Sequence, residues 1–220
     1  MSAAGAALLF DLDGTLTDNY RGISTCIRHA LAGLGAPDPG DAELQRCMGP
    51  PLRESFARLL ASSNPARVEA ALALYRERYR DVGWRENVPY HGIDDALATL
   101  TASGARLILC TSKPEMYAKR ILAHFGLDRH FVAQYGADLA GTLDDKRTLM
   151  AHILARENLA AAACTMVGDR HHDLRAARAH GVRAVGVLWG FGSREELADA
   201  DVLVATPQDL PAALAVGQAP

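Results

Sequence analysis

"ALLFDLDGTLTDNY", residues 7 to 20, decides how the rest of the chain is read. An apolar run, Ala7 to Phe10, ends in two carboxylates two residues apart, Asp11 and Asp13, and Gly14, Thr15 and Thr17 follow at once. Like charges repel and burial penalises both, so a bound cation or a catalytic role must offset the placement.

Working outward, apolar runs recur at residues 6–10, 105–110, 131–135, 164–167 and 182–188. They are continuous rather than alternating, the pattern of a parallel sheet covered on both faces. Helical stretches separate them. Ile93, Leu97 and Leu100 share a face that stops at Gly104; Pro114 opens a stretch carrying Tyr117, Ile121 and Phe125 that stops at Gly126. The expectation is an α/β fold, a doubly wound Rossmann-like parallel sheet. About 90 residues separate the first run from the second, where one helix would suffice. That insertion has its own stripes: Ile23, Ile27, Leu31 and Leu34, then Val68, Leu72, Tyr75, Tyr79 and Val82, the second with Asn64 as N-cap and Gly83 at its end. Gly49, Pro50 and Pro51 break the pattern between them. The predicted organisation is a core of residues 1–17 and 88–220 with a small all-helical cap domain over 18–87, hinged near 17–19 and 87–91.

Composition bounds the partners. The 220 residues carry a formal net charge of −3 with Lys and Arg scattered, so nucleic acid and anionic membranes are not expected. No apolar run approaches the ~20 residues of a spanning helix, and the N-terminus has no leader pattern, so the expected location is cytoplasmic. Cys26, Cys47, Cys110 and Cys164 show no paired spacing and are read as free thiols.

In open parallel sheets ligands sit beyond the carboxyl ends of the strands. Those ends carry Asp11 and Asp13, then Thr111, Ser112 and Lys113, then Asp169 and Asp173, and Lys146 opens a helix nearby; only two other lysines exist, Lys113 and Lys119. This set suits phosphoryl transfer. Asp11 can act as nucleophile, and Asp11 with Asp169 can hold Mg²⁺ against a phosphate. Thr111 can donate to a phosphoryl oxygen while Lys146 neutralises charge. Asp13, on the same side of an extended segment as Asp11, can serve as general acid and base. Ser112, Lys113 and, after the Gly-Pro-Pro break, Arg53 are further substrate-binding candidates. His171 and His172 are read as loop residues whose rings point apart, and "YRERYR" and "AREN" as solvated helix faces.

"DLDGTLTD", Thr111 after an apolar strand, Lys146, and "GDRHHD", in that order, resemble the haloacid dehalogenase-like hydrolases, and "TSKPE", "FGLDRHF" and "GDRHHDLRAARAHGV" resemble its phosphoglycolate phosphatase and 5′-nucleotidase branch. His91 departs from that branch, which usually has a Pro there. The resemblance implies a central first strand, Asp11 as nucleophile and Asp13 as acid/base. It also implies Mg²⁺ on Asp11, the Asp13 carbonyl and Asp169, with Asp173 assisting. The implied activity is hydrolysis of a small phosphorylated metabolite, by a monomer or homodimer. A sugar phosphomutase on the same scaffold is the alternative. A lysine Schiff-base reaction is disfavoured because residues 18–87 contain no lysine; Asp13 argues against a dehalogenase, and the chain length against a phospho-receiver.

Overall fold

The computed structural model describes residues 7–49, 52–62, 64–138 and 142–215. In chain order, β1 (Ala7–Phe10) and β2 (Thr17–Asp18) precede α1 (Tyr20–Gly33), α2 (Asp41–Gln45), α3 (Leu52–Leu59) and α4 (Pro65–Asp81). After β3 (Val88–Pro89) come α5 (Ile93–Ala102), β4 (Arg106–Pro114), α6 (Glu115–His124), β5 (Phe131–Ala137) and α7 (Lys146–Arg156). The chain continues with β6 (Cys164–Gly168), α8 (His171–His180), β7 (Arg183–Val187), β8 (Val202–Val204) and α9 (Leu210–Ala215). Two compact units result, Met1–Asp18 with Pro89–Pro220, and Asn19–Val88.

The first unit is built on a six-stranded sheet of order β5-β4-β1-β6-β7-β8, parallel at every pairing. β1 lies between β4 and β6 in register Phe10↔Leu109 and Phe10↔Val167, so its carboxyl end sits at the middle of the sheet edge. Side chains alternate across the strands. Ala7 and Leu9 of β1, Ile108 of β4 and Met166 of β6 pack with Leu149, Met150 and Ile153 of α7 and Leu174 and Ala177 of α8. A side chain of that size is stabilised by roughly 1.5–3 kcal/mol when fully buried. The first strand begins one residue inside the expected run, Ala6 lying outside the described residues. Pro114 closes β4 as the residue before α6 rather than entering its first turn.

The second unit is helical. Asn64 caps α4 by accepting from the Ala66 N–H at 3.0 Å, and Val68, Leu72, Tyr75 and Tyr79 are buried. Phe56 of α3 meets Tyr75 edge-on at 6.1 Å, and Tyr75 stacks on Tyr79 at 5.6 Å. Val82 does not continue the stripe: it caps α4 and is 41% exposed. Arg78, expected in solvent, instead donates to Glu86 at 2.6 Å and to the Cys26 Sγ at 3.2 Å. Pro50 and Pro51, where the break was expected, lie outside the described residues. All four cysteines are free and buried. Among the described residues no helix is long and apolar enough to cross a membrane.

Candidate active site

Asp11 leaves β1 with its N–H bonded to the Val167 carbonyl at 3.0 Å, one hydrogen bond beyond the strand. The chain then tightens rather than staying extended. The Leu12 carbonyl accepts from the N–H groups of Thr15, Leu16 and Thr17 at 3.2, 2.8 and 3.0 Å, and Leu12 is fully buried. This corrects the extended reading of residues 11 to 13: Asp13 sits on a turn folded around that carbonyl. Gly14 makes the turn possible. Its φ is +82°, and a Cβ there would lie 2.1 Å from the Asp169 Oδ2.

Asp169 follows β6 and is wholly buried. The Phe191 N–H donates to its Oδ2 at 2.8 Å, and the Thr15 hydroxyl to its Oδ1 at 3.4 Å. Asp173, in the first turn of α8, is also wholly buried; it accepts from the Arg170 N–H at 3.0 Å, so it caps the helix while facing the cluster. Lys146 opens α7 with Asp145 as N-cap, and its ammonium bridges Asp11, at 2.9 Å, and Asp173. One oxygen from each of Asp11, Asp169 and Asp173 lies within 4.8 Å of the others, a group able to hold a metal ion. The Asp13 side chain stands outside this group.

Electrostatics follow from the crowding. Burial, then the carboxylates of Asp173 and Asp11, raise Asp169 to about 8. Burial and Asp11 raise Asp173 to about 6 against the pull of Lys146. For Lys146 burial disfavours the ammonium, but Asp11 and Asp173 outweigh it and the pKa goes up. Burial raises Asp13 although Lys113 opposes it. A divalent cation among these acids would relieve both desolvation and repulsion, so the donor set fits a hard, oxygen-seeking ion.

Thr111 is buried in β4, its hydroxyl accepting from the Lys113 N–H at 3.2 Å. Ser112 is exposed. Lys113, expected on substrate, forms an ion pair with Asp13. The other Asp13 oxygen, Oδ1, is buried with no hydrogen-bond partner among the described residues. Arg53 lies on α3 in the helical unit, paired with Glu69 of α4. The two histidines do not point apart: their rings lie 3.9 Å from each other, and His171 meets Glu196 at 2.7 Å. For Glu196 burial works against the charge, but hydrogen bonds from Arg170 and His171 win and hold it near about 2. In "AREN", Glu157 is engaged by Arg106 at 2.8 Å and by the Tyr135 hydroxyl at 2.6 Å.

Sequence reasoning missed the loop after β7, Trp189–Gly190–Phe191–Gly192. The Trp189 indole donates to the Thr15 carbonyl at 3.0 Å, and a Cβ on Gly190 would stand 2.3 Å from the Gly14 carbonyl oxygen and 2.4 Å from the Asp169 Cβ. Two glycines flanking an aromatic just beyond a strand were the available signal. Tyr90 packs edge-on to Trp189 at 6.5 Å.

A family model described as haloacid dehalogenase-like hydrolase matches residues 8–187. A 5′-nucleotidase of Pseudomonas aeruginosa is 46% identical over 190 residues, 86% of each chain. Tyrosine-protein kinase PtkA of Mycobacterium tuberculosis is 41% identical over 199 residues, 90% of this chain and 67% of that protein. A crystal structure described as a predicted phosphatase from Clostridium acetobutylicum superposes with a TM-score of 0.87 at 32% identity, covering 97% of this chain and 100% of that one.

Proposed function

This chain belongs to the haloacid dehalogenase-like hydrolase family and is a phosphoric monoester hydrolase, and from that premise we propose a Mg²⁺-dependent phosphatase acting through an aspartyl-phosphate on Asp11. The substrate is a small phosphomonoester of the nucleoside 5′-monophosphate or phosphoglycolate type; similarity to the 5′-nucleotidase favours the former. The observation that carries the reading is the Lys146 ammonium bridging Asp11 and Asp173 inside a cluster of three buried carboxylates.

Asp11, Asp169 and Asp173 would hold the ion, with the Asp13 carbonyl that the family resemblance adds. When bound, Mg²⁺ shields the incoming phosphate from the carboxylates and stabilises negative charge on the phosphoryl oxygens. Asp11 attacks phosphorus, the bond to the leaving oxygen breaks, and Asp13 gives that oxygen a proton. The unpartnered, buried Oδ1 of Asp13 and its raised pKa suit a proton donor. Asp13 then takes a proton from the water that attacks the aspartyl-phosphate, and Asp11 is regenerated as phosphate leaves. Thr111 donates to a phosphoryl oxygen, and Lys146 balances the charge that builds up on the reacting group. Ser112 is a further candidate for phosphate contact, whereas the Lys113 ammonium is engaged by Asp13 and acts through it. For Arg53 to hold a second anionic group of the substrate, it must exchange its Glu69 partner.

The test is release of free phosphate from p-nitrophenyl phosphate, phosphoglycolate and nucleoside 5′-monophosphates, with Mg²⁺ or with EDTA. Wild type should require Mg²⁺, and Asp11→Asn and Asp13→Asn should fall by at least ~1,000-fold. Robust turnover by Asp11→Asn in EDTA rejects the mechanism. Phosphate passing to a second hydroxyl without free phosphate appearing would mark a mutase or kinase instead.

A further inference from the structure

A cavity of about 570 Å³ opens on the first unit, lined by Asp145, Lys146 and Arg147 at the start of α7 and by His172, Arg175 and Arg178 on α8. We propose that it binds a small anion bearing at least two phosphate or carboxylate groups, at a site separate from the acid cluster.

The placement follows from helix geometry. His172 and Arg175 are three residues apart, and so are Arg175 and Arg178, so α8 presents a basic stripe along one face. Three arginines line the cavity, and Asp145 is the only acid in the lining among the described residues. Arg147 is paired with Asp145 at 2.8 Å, but both side chains are largely exposed, at 64% and 47%. Such a pair contributes little and exchanges readily. Arg178 donates to the Asp199 carbonyl and lies 3.7 Å from its carboxylate, both side chains in solvent, so it must release these contacts to hold an anion. Arg175 is exposed and makes no hydrogen bond or ion pair with an acid among the described residues. The Lys146 ammonium is engaged by Asp11 and Asp173, so this residue offers the cavity its stem. The guanidinium fork matches phosphate and carboxylate oxygens in pairs. A concave site of this volume suits a small molecule. A long polyanion fits poorly with a chain whose net charge is −3.

The experiment is calorimetric titration of the full chain, stripped of metal and then exchanged into metal-free buffer without EDTA, so that no Mg²⁺-dependent binding occurs at the acid cluster, with tripolyphosphate, citrate and orthophosphate. Wild type should bind tripolyphosphate or citrate at least ~10-fold more tightly than orthophosphate, and binding should weaken steeply with salt. Arg175→Glu and Arg147→Glu should each weaken it by at least ~10-fold. p-Nitrophenyl phosphate turnover in Arg175→Glu should stay within about twofold of wild type, which also reports its folding. Tripolyphosphate and citrate thereby separate phosphate from carboxylate recognition. The proposal is overturned if neither anion binds at millimolar concentration, if Arg175→Glu binds them as wild type does, or if only heparin or DNA binds. The readout is binding without metal or turnover, so its failure leaves the phosphatase reading untouched.

Discussion

Lys113 and Asp13 stand a hundred residues apart in the chain and meet as an ion pair beside Asp11. In the proposed mechanism Asp13 is the proton donor, and an ammonium beside it biases it toward its ionised form, so the pair would set how much of Asp13 is ready to protonate a leaving group. Removing the cation lets burial raise the Asp13 pKa further. Because Asp13 must also ionise to take a proton from the attacking water, Lys113→Met is expected to slow hydrolysis of the aspartyl-phosphate and lower kcat by roughly 10- to 100-fold. It should also move the alkaline limb of the kcat/KM profile to higher pH, because the protonated acid then persists further. A pH–rate profile checks this; an unmoved limb would make the pair merely structural. At this scale the acids and Lys146 were legible because motif order exposes them. The Lys113 contact was not, since it exists only once β4 lies beside β1. Nor was the turn at Asp13, which the buried Leu12 carbonyl organises through three N–H donors.

Among elements, the loop after β7 is the one whose geometry most constrains the site. Gly190 approaches the Gly14 carbonyl and Asp169 so closely that a methyl group has no room. Gly190→Ala should push the loop away and break the Phe191 N–H bond to Asp169. The expected result is a loss of ~10- to 100-fold in activity or Mg²⁺ affinity, with about 1–3 kcal/mol of stability. Gly181→Ala is the contrast: φ is +69° with nothing within 4 Å, so about 1 kcal/mol of stability should go and activity stay. Thermal melts and phosphate release on both variants separate the two effects. The parallel sheet was legible from its buried runs. β8, three residues at the edge, and β2 and β3, two residues each, are too short to carry a period. Arg78 was misread because its partner Glu86 lies beyond the helix, where i,i+4 reasoning does not reach.

For the molecule as a whole, the acid cluster links stability to pH and metal. Asp169 near about 8 and Asp173 near about 6 are both raised, so without metal the folded state holds protons that the unfolded chain has lost. Stability of the metal-free protein should then fall as pH climbs from the ordinary carboxylate range through about 8. On the proposed reading Mg²⁺ competes with those protons, and the rise in Tm it would produce should be small at about pH 6 and several degrees larger at about pH 8.5. Asp169→Asn should abolish most of the difference. Melts with EDTA or millimolar Mg²⁺ at the two pH values decide it; equal shifts at both would place the ion elsewhere.

The four cysteines add a property unrelated to turnover. Each thiol sits inside packed structure, and burial lifts Cys110 to about 12. Thiolate is the reactive form, so alkylating or oxidising agents find almost no target while the chain stays closed. Its modification chemistry is thus a clock for opening of the interior, started by the protein's own fluctuations and not by the reagent.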